Sequence, residues 1–302
     1  MEERGMNERI KKLRCQSVDT PARIYMERAD LMTDAYKMYE GSVSVPEMRA
    51  LAFKYFMEHK HLCINDGELI VGEKGDGPQK SPTFPELCCH TLEDMHVMND
   101  RELISFKVTD EDLKLQEEKI IPYWEKRSIR HKIINAMTPE WRDCYESGIF
   151  TEFMEQRGPG HTVGSQKIYT KGFLDYQKDI QDAMDKLDFL NDPEALDKQN
   201  ELKAMSIACD AIMILGKRYA AMAREMAEKE TDPVRKEELL QIAHNCDVVP
   251  AHKPETYWQA IQMYWFVHLG VTTELNPWDA YSPGRLDQHL YPFYEHDVEA
   301  GI

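Results

Sequence analysis

Between Asp192 and Glu230 apolar residues recur at helical spacing with scarcely a break, through Leu196, Leu202, Met205, Ile212, Leu215, Tyr219 and Met226. At 1.5 Å per residue this stretch predicts a helix on the order of 50 Å long, with Gly216 as the one place where it could bend. A helix of that length cannot cover its own apolar stripe, so other helices must lie along it. The segment from Pro254 to Gly270 narrows the choice further. It carries Tyr257, Trp258, Ile261, Met263, Trp265 and Phe266 on nearly all sides, the pattern of a helix enclosed in a larger body.

Start signals mark further helices. Val45-Pro46, Thr138-Pro139, Asp192-Pro193 and Asp232-Pro233 each place a proline in a first turn, and Thr109-Asp-Glu-Asp112 has the spacing of a capping box. Thr20-Pro21 is read as the start of an amphipathic segment running toward Gly41. Strand candidates are few. Glu68-Leu-Ile-Val-Gly72 follows the turn Asn65-Asp-Gly67, and Val271-Thr-Thr-Glu-Leu-Asn276 follows Gly270. Two isolated strands cannot satisfy each other's edges, so their partners are expected outside this sequence and an apolar face is expected to be left uncovered. The predicted class is mainly α with a few strands, with no legible domain boundary across residues 1–302.

The balance of 37 basic against 54 acidic residues gives a net charge of −17, which argues against a nucleic-acid partner. No run approaches the roughly 18 apolar residues of a membrane helix, and the charged start MEERGMNERIKKLR has no apolar core of a signal peptide. Seven cysteines without CxxC spacing fit free thiols in a reducing cytoplasm, mostly as small buried hydrophobes. His59, His61 and Cys63 alternate along MEHKHLC, but no fourth ligand has the spacing of a zinc site, and Cys89, His90 and His96 fail the same test. Gly72, Gly75 and Gly77 lack the Lys-Ser/Thr end of a phosphate loop.

Near the end stands Ser282-Pro-Gly-Arg-Leu-Asp-Gln-His-Leu-Tyr-Pro-Phe-Tyr-Glu-His-Asp297. Ser282 and Pro283 read as an N-cap and first turn, and Gly284 as a close approach of backbone. Arg285 and Asp287 are expected to tie this loop to the scaffold. The stretch resembles the SPGRxDqyLyPfYxxD signature of the pyruvate formate-lyase-like glycyl radical enzymes. Three earlier blocks resemble that family in the same order: ERADLMTDAYK at 27–37, INDGELIVGEKG at 64–75 and CDVVPAHKPETYWQAIQMYWFVHLGVTTELN at 246–276. Within the family, FTEFMEQRGPGHTV at 150–163 and TELNPWDAYSPGR at 273–285 are most similar to the branch that dehydrates trans-4-hydroxy-L-proline.

The resemblance implies the N-terminal part of a ten-stranded α/β barrel wrapped by helices, with 64–75 as its first strand. It implies a small-molecule substrate and a homodimer when intact. It also implies a glycyl radical installed by a separate S-adenosylmethionine iron–sulfur activating enzyme, with no metal or organic cofactor bound directly. The family's radical glycine and thiyl cysteine motifs do not occur in these 302 residues. The chain is therefore expected to be the inactive front portion of such an enzyme. Cys144-Tyr-Glu146 reproduces the family's Cys-x-Glu spacing but at the wrong place in the order, and is read as helix packing.

Radical dehydration expels hydroxide, a poor leaving group that an acid must protonate as it departs. His161, in Gly158-Pro-Gly-His-Thr-Val, matches the branch's active-site histidine, whose imidazole suits that task. Asp279, after Asn276-Pro-Trp278, matches the acidic residue that contacts the substrate hydroxyl with it, and Phe153 matches an aromatic wall of the pocket. Two other readings stay open: a glycerol- or propanediol-type dehydratase or other lyase of the family, and a non-catalytic helical binding protein on the same scaffold.

Overall fold

The structure, a computed structural model, describes residues 6–149, 164–275 and 282–302. Its first half holds α1 (Glu8–Val18), β1 (Arg23–Tyr25), α2 (Glu27–Tyr39), α3 (Val45–His59), β2 (Lys80–Pro82), α4 (Leu92–Asp100) and α5 (Asp110–Leu115). A π-helical turn (Gln116–Ile120) joins α5 to α6 (Ile121–Trp124), followed by α7 (Ile129–Ala136) and α8 (Pro139–Glu146). The second half holds α9 (Lys167–Thr170), α10 (Phe173–Met184), α11 (Ala195–Lys229), α12 (Pro233–Val248), α13 (Tyr257–Glu274) and α14 (Leu286–Ala300). The expected mainly helical body with few strands is what is found.

Most helix starts follow from their caps. Ser44 Oγ accepts from Glu47 N–H while the Glu47 carboxylate accepts from Ser44 N–H at 3.2 Å, a complete capping box opening α3. Thr109 and Asp112 do the same for α5, and Thr138 and Asp232 cap α8 and α12. Each such cap contributes about 1 kcal/mol.

The long period becomes one uninterrupted helix of 35 residues, α11, which starts three residues after Asp192 at Ala195. Small residues let its neighbours come close. Ala220, Ala223 and Ala227 are buried in one cluster with Leu239, Ile242 and Cys246 of α12. Farther along, Ile212 and Leu215 share that cluster with Phe53 and Phe56 of α3 and with Phe266 of α13. Each of these large side chains contributes on the order of 1.5–3 kcal/mol by burial. Gly216 serves this packing: a Cβ there would lie 2.7 Å from Pro250 Cδ and 3.1 Å from Val249 O. A second cluster joins α9, α13 and α14, and a third gathers β1, α2, α4 and Trp124.

Four sequence expectations are corrected. Glu68–Gly72 is no strand: the chain bends at Leu69 and Ile70, and side chains serve its main-chain groups in place of a partner strand. Arg235 Nη1 donates to Glu68 O at 2.8 Å, Trp258 Nε1 to Leu69 O at 2.8 Å and Trp265 Nε1 to Gly72 O at 2.7 Å. Gln262 takes both groups of one residue, accepting from Val71 N–H and donating to Val71 O, each at 2.8 Å. Tyr219 OH accepts from Glu73 N–H at 3.2 Å, and Lys60 Nζ donates to Glu73 O. Positions 258, 262 and 265 fall on one face of α13, so a single helix face grips the peptide. Gly72 has φ +138°, and a Cβ there would lie 2.8 Å from Trp265 Nε1.

The second correction concerns Val271–Asn276. Val271–Glu274 is the last turn of α13, and Leu275 is its C-cap. Gly270 had read as a stop, but it is a packing glycine: its Cβ would lie 2.4 Å from Ile212 Cδ1. Thr272, which looked β-prone, returns its hydroxyl to His268 O at 3.0 Å and so stays in the helix. Third, Thr20-Pro21 opens no helix. The chain first forms β1, which runs parallel to β2 with Ile24 opposite Ser81, and α2 begins only at Glu27. These three-residue strands are too short to register as a period. Fourth, Ser282-Pro283 is not the cap of α14. Ser282 Oγ accepts from Gly284 N–H at 3.1 Å, Gly284 takes φ +69°, and the helix starts at Leu286.

Candidate functional site

Five helices line an apolar cavity of about 1090 Å³, open to solvent, between α3, α9, α10, α11 and α13. The buried Phe53, Ile180, Ile212 and Val267 supply much of its wall, together with the exposed Met205. The wall also includes Gly164 and Leu275, the described residues next to segments 150–163 and 276–281. His161 and Phe153 fall in the first segment and Asp279 in the second, so all three lie outside the described residues. Gly164 and Leu275, far apart in sequence, thus stand on the wall of one cavity.

The cavity's polar corner is Arg49 and Glu274, ion-paired through Arg49 Nε. Arg49 Nη2 also donates to the main-chain oxygen of Glu274 at 2.9 Å. Beside this pair, Arg28 is 1 % exposed and spends its guanidinium on three partners. Its Nε donates to Thr273 O at 2.6 Å, Nη1 to Thr83 O at 3.2 Å, and the fork grips the buried Glu86 carboxylate. Its guanidinium also lies 3.7 Å from the Phe84 ring centre. Two cations thus sit at the negative end of α13 and occupy carbonyls that the helix leaves unpaired.

The charges bias one another's protonation. Burial pushes Glu86 up, but Arg28 outweighs it and holds the carboxyl below its usual range. Glu274 is held above its usual range, because burial, with Glu86 adding repulsion, outweighs the pull of Arg49 and Arg28. One oxygen of Glu274, Oε2, is buried with no hydrogen-bond partner. Burial opposes the charge on Arg49, yet Glu274 keeps its pKa above the ordinary value. Burial raises Tyr36 nearby to about 12, which keeps its hydroxyl protonated.

Sequence reasoning missed Arg28, Arg49, Glu86 and Glu274. No local spacing signals them, since they come from four separate parts of the chain. The other sequence-picked groups take ordinary places. His59 Nδ1 lies 2.8 Å from Tyr55 O, His61 pairs with Glu27, and Cys63 lies 3.9 Å from Gly75 O. Among the described residues no three His, Cys, Asp or Glu side chains gather as a metal site would require. Cys144 is part-buried on α8. Arg285 and Asp287 are exposed, and no ion pair joins either to another described residue. No helix among the described residues is long and apolar enough to cross a membrane.

Comparison with known proteins gives this body a context. The chain matches the family model described as pyruvate formate lyase-like over residues 6–302. It is 64 % identical over 299 residues to trans-4-hydroxy-L-proline dehydratase of Clostridioides difficile, which covers 99 % of this chain and 38 % of that protein. The solved structure of hydroxyproline dehydratase from Clostridioides difficile, with trans-4-hydroxy-L-proline bound, superposes with TM-score 0.95 over 99 % of this chain and 38 % of that one. A Roseburia inulinivorans structure concerned with 1,2-propanediol dehydration gives TM-score 0.92 at 30 % identity, over 98 % of this chain and 35 % of that one. The chain therefore spans well under half the length of these relatives. With a family model matching nearly its full length and a relative this similar, the chain belongs to the pyruvate formate lyase-like family, the glycyl radical enzymes that its sequence blocks resemble.

Proposed function

We propose that this chain is part of a glycyl radical dehydratase that removes water from trans-4-hydroxy-L-proline to give pyrroline-5-carboxylate. The observation that carries this reading is the 64 % identity along 99 % of the chain to a protein of that activity. The propanediol-related structure stands at 30 %. In this reading His161 protonates the departing hydroxyl, Asp279 holds that hydroxyl and relays the proton, and Phe153 walls the ring. Gly164 and Leu275, three and four positions from His161 and Asp279, line one cavity, which supports this reading.

The radical that begins the reaction belongs to a glycine outside these 302 residues, installed by a radical S-adenosylmethionine activating enzyme. The whole protein is a cytoplasmic homodimer acting on a small molecule, and this chain alone is inactive. The test is anaerobic turnover by the whole protein after activation. His161→Ala and Asp279→Asn are each expected to lower kcat by roughly 10²–10⁴-fold, the contribution of a positioned acid or base, with the glycyl radical signal unchanged. Normal turnover in both variants would make these residues scaffold. Turnover of propanediol or glycerol but not hydroxyproline would move the protein to another branch. A persistent radical doublet from the isolated chain would overturn its assignment as inactive.

A further inference from the structure

We propose that Arg28 and Arg49 are positioning residues that fix the C-terminal end of α13, from which the chain continues toward Asp279. An α-helix ends with carbonyls that its own backbone cannot satisfy. Here the last two, Thr273 O and Glu274 O, are taken by Arg28 Nε and Arg49 Nη2 at 2.6 and 2.9 Å. The Arg28 guanidinium is anchored from behind. Arg28 is held by Glu86, which follows β2, and by Thr83 O, while Arg49 is held by the Glu274 side chain itself. Residues from α2, α3 and the chain after β2 therefore meet at one helix end.

The corner is built for geometry more than for stability. A lone buried arginine–carboxylate pair offsets its own desolvation only when its hydrogen bonds are well made. The half-buried Arg49–Glu274 pair beside it adds to that cost, and it leaves Glu274 Oε2 without a donor. An apolar corner would close the core with less penalty, but it would not fix the exit of a chain segment. Asp279 lies only five residues beyond Glu274. In the proposed reading a shift at the helix end displaces that reacting group, and small displacements of a reacting group cost large factors in rate.

The catalytic half of this inference rests on the role given to Asp279 above, whereas the structural half does not. The variants are Arg49→Lys, which keeps the charge and loses the fork, and Glu274→Gln, which keeps the shape and loses the charge. On the whole activated protein each is expected to lower kcat roughly 10- to 100-fold with KM and radical yield unchanged. Hydrogen exchange should quicken roughly 10-fold at the amides of 271–275 and stay unchanged in α12. Exchange unaltered at 271–275 in both variants would overturn the proposal, as would faster exchange there with normal kcat. A uniform rise in exchange with a matching fall in Tm would also overturn it, since that is what a purely structural ion pair would give. If the protein turns over a substrate other than hydroxyproline, the substrate assignment fails while the same kcat and exchange comparison, made with that substrate, still decides this one.

Discussion

At the scale of single residues, Lys60 shows how much a body of this kind invests in satisfying buried backbone. It is fully buried at the end of α3, with Nζ on Glu73 O and the Phe56 ring centre 5.7 Å away. Burial pushes its pKa from 10.5 down to about 8, against the pull of Glu27, Cys63 and Glu73 and with some help from Arg218. Below pH 8 the amine is protonated in both folded and unfolded chains, so the folded state carries the cost of the buried charge. Between pH 8 and 10.5 the folded chain releases the proton while the unfolded chain keeps it, so stability rises with pH. At 1.36 kcal/mol per pKa unit, the gain attributable to Lys60 is about 3 kcal/mol. Urea unfolding from pH 7 to 10.5 should show this rise in the native protein and lose it in Lys60→Met. Parallel profiles for the two would show that the amine is not the titrating group.

At the scale of elements, helices were legible and extended segments were not. Ser44, Thr109, Thr138 and Asp232 announce their helices because a cap acts on backbone two or three residues away. The 68–72 segment carries every local mark of a strand, and what it lacks is a neighbour that local sequence cannot reveal. Its partners stand at 235, 258, 262 and 265, with 60 and 219 serving the adjoining Glu73. Gln262 is the most demanding of these, since it serves both main-chain groups of the fully buried Val71. Gln262→Leu would leave both groups unpaired at about 1–3 kcal/mol each, so a loss on the order of 3 kcal/mol is expected in urea unfolding. A loss below about 1 kcal/mol would mean that water or a rearranged side chain replaces the amide. The Val271–Glu274 turn misled for a different reason, because Gly270 fits a helix stop and a helix crossing equally well.

At the scale of the whole molecule, the family was legible from four blocks of sequence. The cavity was not, because its wall is assembled from five helices and its charged corner from residues 49 and 274. At about 1090 Å³ it exceeds the usual size of a drug-sized pocket, and a single-ring amino acid would fill a small part of it. Its wall is predominantly apolar. The 302-residue chain should therefore bind an apolar dye such as anilinonaphthalene sulfonate in this recess. Ala208→Trp, which places a large ring on the α11 wall, should remove most of the fluorescence gain while leaving helical circular dichroism unchanged. Undiminished dye binding in that variant would place the apolar surface elsewhere.

The side-chain grip on residues 68–73 has a consequence for how this protein can vary. In a sheet, one backbone serves another, and almost any amino acid can supply its share. Here the service is specialised: a guanidinium, two indoles, a carboxamide, a phenol and an amine each attend one or two groups. The gripped residues are free to change wherever space allows, while the six distant positions that attend them are not. Constraint is displaced from the segment that looks important to helices that look like ordinary packing. A drifting sequence would keep its tryptophans at 258 and 265 long after it had rewritten the peptide they hold.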